Sequence, residues 1–242
     1  IASGKGTIFC LDQKTGNCLW KTTLESQIVA PLLVSFRFLY ASSVNGKVYC
    51  LNIIDGKIIW STDLKEKIET AACMKLNYVY VTTSEGRIFS LDSQNGRVVW
   101  SYNLSSRSHI SPVTGTEFVM AGDDNGNLYC FDDITGRLIW KSEIKYSFTT
   151  TFAFAYFDKR VLCVGAKDKY IGINTGNGVE IWSQPVKDAS IPPIAAGRII
   201  FFPDGEGNLL AVDSFSGNIS FKENVDANIS TSLSISNGRV IF

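Results

Sequence analysis

Apolar residues in this chain fall in short runs divided by turn-forming residues, and the runs recur. Residues 46–60 read as a strand (48–51), a turn and a second strand ending in Trp60. The same pattern starts at Gly6, Gly46, Gly86, Gly126, Asp168 and Gly207 and ends at Trp20, Trp60, Trp100, Trp140, Trp182 and Phe221, with end-to-end spacings of 40, 40, 40, 42 and 39 residues. In each turn an Asp or Asn (Asp12, Asn52, Asp92, Asp132, Asn174, Asp213) can accept from the backbone two residues on. Four positions later Gly16, Gly56, Gly96, Gly136, Gly178 and Gly217 supply a positive φ.

Upstream of each copy lies a pair of shorter apolar runs, such as 28–34 with 38–41 and 71–74 with 78–81. Each unit therefore holds four strands, and four strands of about six residues with four connections of about four fill roughly 40 residues. Both alternate positions of the strands are apolar, as in a sheet packed on both faces. The expectation is an all-β fold: a β-propeller of four-stranded antiparallel blades, with six repeats in a single domain over residues 1–242. A barrel needs no forty-residue period, and a solenoid repeats over fewer residues.

The fourth repeat is irregular, with an aromatic and Thr-rich stretch at 146–157 and Asp168 in place of Gly. Residues 229–242 begin another upstream half. Joined to residues 1–6 they reproduce the pattern of 37–46, which predicts a ring of six blades closed by pairing N-terminal with C-terminal strands. Seven or eight blades follow if the chain is cut from a longer array. With no initiator Met and no signal peptide at Ile1, the chain reads as one domain of a larger protein, itself monomeric.

Charge narrows the partners. Lys plus Arg and Asp plus Glu stand at 23 each, so there is no basic field for nucleic acid. No apolar run reaches the eighteen or so residues of a membrane span. Cys10, Cys50 and Cys130 share one position of the repeat, held elsewhere by Ser90, Gly172 and Ala211, so that position wants a small side chain and the three thiols read as buried hydrophobes. Cys18, Cys73 and Cys163 are scattered, with no C-x-x-C spacing. Six thiols without a disulfide framework predict a reducing, cytoplasmic compartment, the periplasm or a secretory lumen being the alternative.

Residues 10–20 and 211–221 resemble the tryptophan-docking motif of PQQ-like, quinoprotein-dehydrogenase-like propellers, A-x-D-x-x-x-G-x-x-x-W, and the resemblance covers all six repeats. It implies that Trp20, Trp60, Trp100, Trp140 and Trp182 each dock on the adjacent blade's motif, the indole N–H reaching a main-chain carbonyl. Cys replaces the leading Ala in three copies, and Phe221 replaces the last Trp. Catalytic relatives carry an adjacent Cys-Cys pair and carboxylate and Asn ligands to calcium; no two cysteines adjoin here. The expectation is therefore no enzyme, no catalytic residue, no metal and no cofactor. His109 is the single histidine. The acidic run 122–127 lacks the D-x-D-x-D-G spacing and distal Glu of a calcium loop. Asn103, Asn218 and Asn228 open glycosylation-type triplets, which matter only in a secreted protein.

The remaining reading is a non-catalytic scaffold for protein–protein interaction. Loops between blades and between second and third strands share one face, where Arg107, His109, Asp123, Asp124, Asp168, Asp204 and Glu206 form the candidate surface for a protein partner. Three homes resemble the sequence. The thiols favour the accessory propeller of acyl-CoA-synthetase-like, adenylate-forming proteins; the others are an outer-membrane assembly lipoprotein and the luminal sensor domain of unfolded-protein kinases.

Overall fold

The computed structural model describes residues 1–150, 152–154, 161–225 and 229–242. Every element among them is a β-strand. Residues 151 and 155–157 of the aromatic stretch and the Asn228 triplet's first residue lie outside the described residues.

The chain falls into two compact units, 1–121 with 132–137, and 122–131 with 138–242. In the first unit β1 (Thr7–Leu11) pairs with β2 (Cys18–Thr23). Two full antiparallel sheets follow in chain order. One is β3 (Leu33–Ser35), β4 (Phe38–Ser42), β5 (Lys47–Asn52) and β6 (Ile58–Asp63); the other is β7 (Cys73–Lys75), β8 (Tyr78–Thr82), β9 (Arg87–Asp92) and β10 (Val98–Asn103). The third repeat supplies β11 (Val113–Thr114) paired with β12 (Phe118–Gly122), and β13 (Asn127–Asp132) paired with β14 (Leu138–Glu143). The second unit holds two more four-stranded sheets. These are β15 (Ala153–Phe154) to β18 (Glu180–Pro185), with β16 (Val161–Ala166) and β17 (Lys169–Asn174) between, and β19 (Ile194–Ala196) to β22 (Ile219–Asn224), with β20 (Ile199–Pro203) and β21 (Asn208–Asp213) between. It ends in a pair, β23 (Ser234–Ser236) with β24 (Arg239–Ile241). β1–β2 and β23–β24 each stand as a two-stranded sheet, so the expected blade shared by the two chain ends is not among the sheets of the described residues.

The middle strands carry the core because both of their faces are covered. Four consecutive residues of β5, Val48 to Leu51, are buried, and β6 alternates with its outward residues exposed. Tyr40, Val48, Cys50 and Trp60 of one sheet pack with Val79, Val81, Phe89 and Leu91 of the next. In the second unit Cys163, Tyr170 and Trp182 meet Ile200, Phe202, Leu210 and Val212 in the same way. Each fully buried Val, Leu or Ile contributes about 1.5–3 kcal/mol relative to exposure, so the face between adjacent sheets is the main source of stability.

The register explains the position that wants a small residue. Cys10, Cys50, Ser90, Cys130, Gly172 and Ala211 lie directly across the ladder from Trp20, Trp60, Trp100, Trp140, Trp182 and Phe221, beside a bulge in the same place each time. A methyl group at Gly172 would overlap the Trp182 indole. Cys50 and Cys130 are buried, and burial pushes their thiols up to about 11 and about 12. Cys10, expected to be buried, is only half-buried.

Candidate functional site

Between its last two strands each repeat carries an Asx turn built by its own sequence. The Asp12 carboxylate accepts from the backbone N–H of Lys14 (3.0 Å) and Thr15 (2.7 Å); Asn52 accepts from Ile54 (2.8 Å), Asp92 from Gln94 (2.8 Å) and Asp213 from Phe215 (3.1 Å) and Ser216 (3.0 Å). Gly16, Gly56, Gly96, Gly136, Gly178 and Gly217 close the turns with φ between 69° and 73°. At Asp213 the Ser216 N–H is the main influence. It and the Arg198 guanidinium outweigh burial and hold the carboxyl at about 2. A depressed folded-state pKa stabilises above the unfolded value and ceases to as pH falls through the folded one. Asp213→Asn is therefore expected to lower stability at pH 7, with the gap to the parent closing between about pH 4 and pH 2 in urea melts; a gap constant with pH would rule this out.

These turns receive tryptophan. Trp20 Nε1 donates to the Ile53 carbonyl (2.9 Å), Trp60 to Ser93 (3.0 Å), Trp100 to Asp133 (3.2 Å), Trp140 to Thr175 (3.0 Å) and Trp182 to Ser214 (2.7 Å). Each acceptor is the residue after the Asx-turn Asp or Asn of the following repeat. Each indole lies where the following glycine's Cβ would be: Trp20 at Gly56, Trp60 at Gly96, Trp100 at Gly136, Trp140 at Gly178 and Trp182 at Gly217. A second donor two residues beyond the Trp was not anticipated. Thr22 and Thr62 hydroxyls donate to the Gly56 and Gly96 carbonyls (2.6 Å each), and the Gln184 amide to that of Gly217 (2.5 Å). Tyr40 and Tyr80 also donate, to the same Ser93 (3.3 Å) and Asp133 (2.9 Å) carbonyls that take an indole.

The expected interaction face divides. Asp123 and Asp204 are buried turn caps, which removes them from it. Asp123 accepts from the Asn127 amide (2.8 Å), the Tyr129 hydroxyl (3.0 Å) and the backbone of Asn125 (3.1 Å) and Asn127 (2.9 Å). Asp204 takes the same bonds from Glu206 and Asn208, with Lys222 Nζ at 3.1 Å. Burial pushes the Asp204 carboxyl up, but these donors outweigh it and hold it below the ordinary value. Asp124 is half-buried, whereas Arg107, His109, Asp168 and Glu206 are exposed. Arg107 and His109 border an open cavity of about 260 Å³ with Lys67, Glu69, Ser84 and Glu85. Among the described residues no group of three or more His, Cys, Asp or Glu could hold a metal ion, and no helix is long and apolar enough to cross a membrane.

At the opposite end of the sheets, beside the Asx turns, the structure exposes residues that the pattern did not single out. Phe36 is 95% exposed and Leu76 73% exposed, each at the tip of the hairpin between the first two strands of its sheet. Both have positive φ, 55° and 50°, which is a genuine outlier for a bulky side chain. The Arg37 carbonyl accepts from Ile53, which fixes Phe36 next to the Asx turn bearing exposed Ile54; the Asn77 carbonyl accepts from Ser93, and Lys75 beside Leu76 pairs with Asp133 on the Asx turn of the next repeat, which bears exposed Ile134. The signal was available: the same position is Gly197 and Asn237 in later repeats, both with positive φ.

The model of a PQQ-like repeat family, described as outer membrane protein assembly factor BamB, matches residues 4–223 and again 167–242. The chain belongs to this family. Among solved structures it is similar to BamB from Moraxella catarrhalis (21% identity, 99% of this chain and 76% of that one, TM-score 0.79). It is similar also to the computationally designed Ika8 protein (20%, 99% and 75%, 0.84). A third is the quinohemoprotein alcohol dehydrogenase ADHIIG from Pseudomonas putida, at 14% identity and TM-score 0.73, of which the chain spans 44% while 91% of it is covered. No curated protein matches the sequence. At these identities the structures establish the fold: a β-propeller of four-stranded antiparallel blades built from PQQ-like repeats.

Proposed function

We propose that this chain is a non-catalytic propeller scaffold that holds a protein partner, and that the partner is held at the end of the sheets carrying Phe36, Ile54, Leu76 and Ile134. The strained exposed tips carry this reading. A bulky residue in the left-handed region costs about 1–2 kcal/mol, and large apolar side chains in water gain nothing to offset it within the monomer. Such strain is retained where a contact uses it. The tryptophan-docked turns beneath would keep the tips rigid, so little ordering is lost on binding. A relative named an outer membrane protein assembly factor supports an assembly role in the cell envelope. The six free thiols favour a second reading, an intracellular accessory domain of an adenylate-forming enzyme.

Asn tolerates the left-handed region, so Phe36→Asn with Leu76→Asn relieves strain and is expected to keep or raise the melting temperature. A photo-crosslinker at position 54 of the native source protein is expected to give a discrete adduct that this double variant loses. Absence of an adduct, or one unchanged in the variant, would overturn the interaction surface. Fractionation of the same cells separates the compartments: adduct in the envelope supports the assembly reading, adduct in the cytosol the accessory-domain one.

A further inference from the structure

Two of the turns between second and third strands are capped by a buried carboxylate, and their surroundings differ by one ring. In the third repeat Asp123 Oδ2 takes the Asn127 amide (2.8 Å) and the Tyr129 hydroxyl (3.0 Å). Lys141, directly across the ladder from Tyr129, lies over its ring with Nζ 5.4 Å from the centroid. The fifth repeat keeps every part of this arrangement except the phenol. Asp204 is buried, and its Oδ2 takes the Asn208 amide. Leu210 and Lys222 hold the places of Tyr129 and Lys141, again directly across the ladder. Where Asp123 meets a hydroxyl, Asp204 Oδ2 takes Lys222 Nζ instead, at 3.1 Å. Repeats one to three all set a buried ring at this position, Tyr49, Phe89 and Tyr129; the fourth has Ile171 and the fifth Leu210, and of these two only Leu210 lies beside a buried carboxylate. An open cavity of about 370 Å³ stands there, between the end of β18 and the β21–β22 hairpin, with Gln184, Val186, Asp204, Leu210, Ile219 and Lys222 on its wall. About 150 Å³ is enough to hold benzene. All of these wall residues belong to one compact unit.

We propose that this cavity is a binding site for a phenol, whose ring occupies the volume that Tyr129 fills in the third repeat and whose hydroxyl donates to Asp204 Oδ2. Lys222 then leaves the carboxylate for the ring face, the place that Lys141 holds over Tyr129. The third repeat fixes the chemistry of the occupant. A plain hydrocarbon ring would shut water away from Asp204 without returning a hydrogen bond to it. An anion would be brought against the carboxylate, and a cation would have to displace Lys222 while standing beside its charge. A phenol is a neutral ring with one O–H donor, so it satisfies Asp204 and leaves Lys222 a π face to cover. The site shares no residue with the apolar tips, and the inference stands whatever they hold.

Titration of the protein with p-cresol, followed by methyl NMR, is the test. A Kd on the order of 1 mM is expected for a ligand of this size, with nuclear Overhauser effects from the ring protons to the Leu210 and Ile219 methyls. Toluene, which lacks the hydroxyl, is expected to bind about tenfold or more weakly. Leu210→Tyr supplies the phenol from the chain itself, as Tyr129 does, and is expected to abolish p-cresol binding while melting at or above the parent temperature. Absence of those two Overhauser effects at about 10 mM p-cresol, or toluene binding as tightly as p-cresol, would overturn the proposal; both readings are made on the parent protein and hold even if Leu210→Tyr does not fold. Undiminished p-cresol binding by a folded Leu210→Tyr would overturn it equally. N-Acetyltyrosinamide separates the two sources of a phenol, either of which upholds the site: binding tighter than that of p-cresol makes the occupant a tyrosine of a peptide, weaker binding a free small molecule.

Discussion

Replacing Trp60 by alanine is expected to destabilise the protein by about 3–5 kcal/mol, a fall in melting temperature of about 10 °C for a chain of this length. Trp60 is the central case of the repeated contact. It is buried, its ring is 6.0 Å from that of Tyr40, and it packs against Val79, Val81, Phe89 and Leu91. Truncation opens a cavity between two rigid sheets, which cannot close over it because each is pinned by its own ladder. It also removes the Nε1 donor to Ser93, though the Tyr40 hydroxyl still reaches that carbonyl. Trp60→Phe separates the two effects: the ring area is mostly kept and the donor lost, so a cost of about 1–2 kcal/mol is expected. Trp20→Ala should cost less than Trp60→Ala, since Trp20 is half-buried. Thermal melts by far-ultraviolet circular dichroism measure all three. If Trp60→Ala melted within a degree or two of the parent, the indole would not be a structural dock.

What the sequence made legible was whatever recurs at the period. The four-strand repeat, the Asx turns and the identity of the tryptophans are written five or six times, and repetition averages out the ambiguity of any single run. The small residue at 172 was visible as a requirement but not as a cause, because its pairing with Trp182 depends on a bulge that shifts the register by one. Phe36 and Leu76 were missed for the opposite reason. They fall in the connections between the runs 28–34 and 38–41 and between 71–74 and 78–81, and only comparison with Gly197 and Asn237 marks the position as one of positive φ. Asp123 and Asp204 were misplaced because a carboxylate in a loop reads the same whether it points to solvent or back into its own turn. The discriminating signal is an Asn four residues on, Asn127 and Asn208, which supplies both a backbone and a side-chain donor.

That turn carries the second large effect. Asp123→Ala is expected to cost about 3–5 kcal/mol, the range for breaking a buried, charge-assisted set of bonds by removing one partner. The carboxylate is fully buried and gathers the Asn127 side chain and backbone, the Asn125 backbone and the Tyr129 hydroxyl; without it these donors lose their shared acceptor where water has little access. Equivalent turns show how much a smaller cap can replace. Thr83 Oγ1 accepts from Arg87 N at 3.1 Å and Ser3 Oγ from Thr7 N at 3.2 Å, so a hydroxyl satisfies the backbone donor four residues on. Asp123→Ser should therefore recover that bond but leave the Asn127 amide short of an acceptor, giving about half the loss of Asp123→Ala. Asp124→Ala, one residue away and only half-buried, should stay within about 1 kcal/mol of the parent. Urea denaturation of the three variants orders them. Equal stability of Asp123→Ala and Asp124→Ala would return Asp123 to the surface, and with it the acidic interaction face that its burial removes.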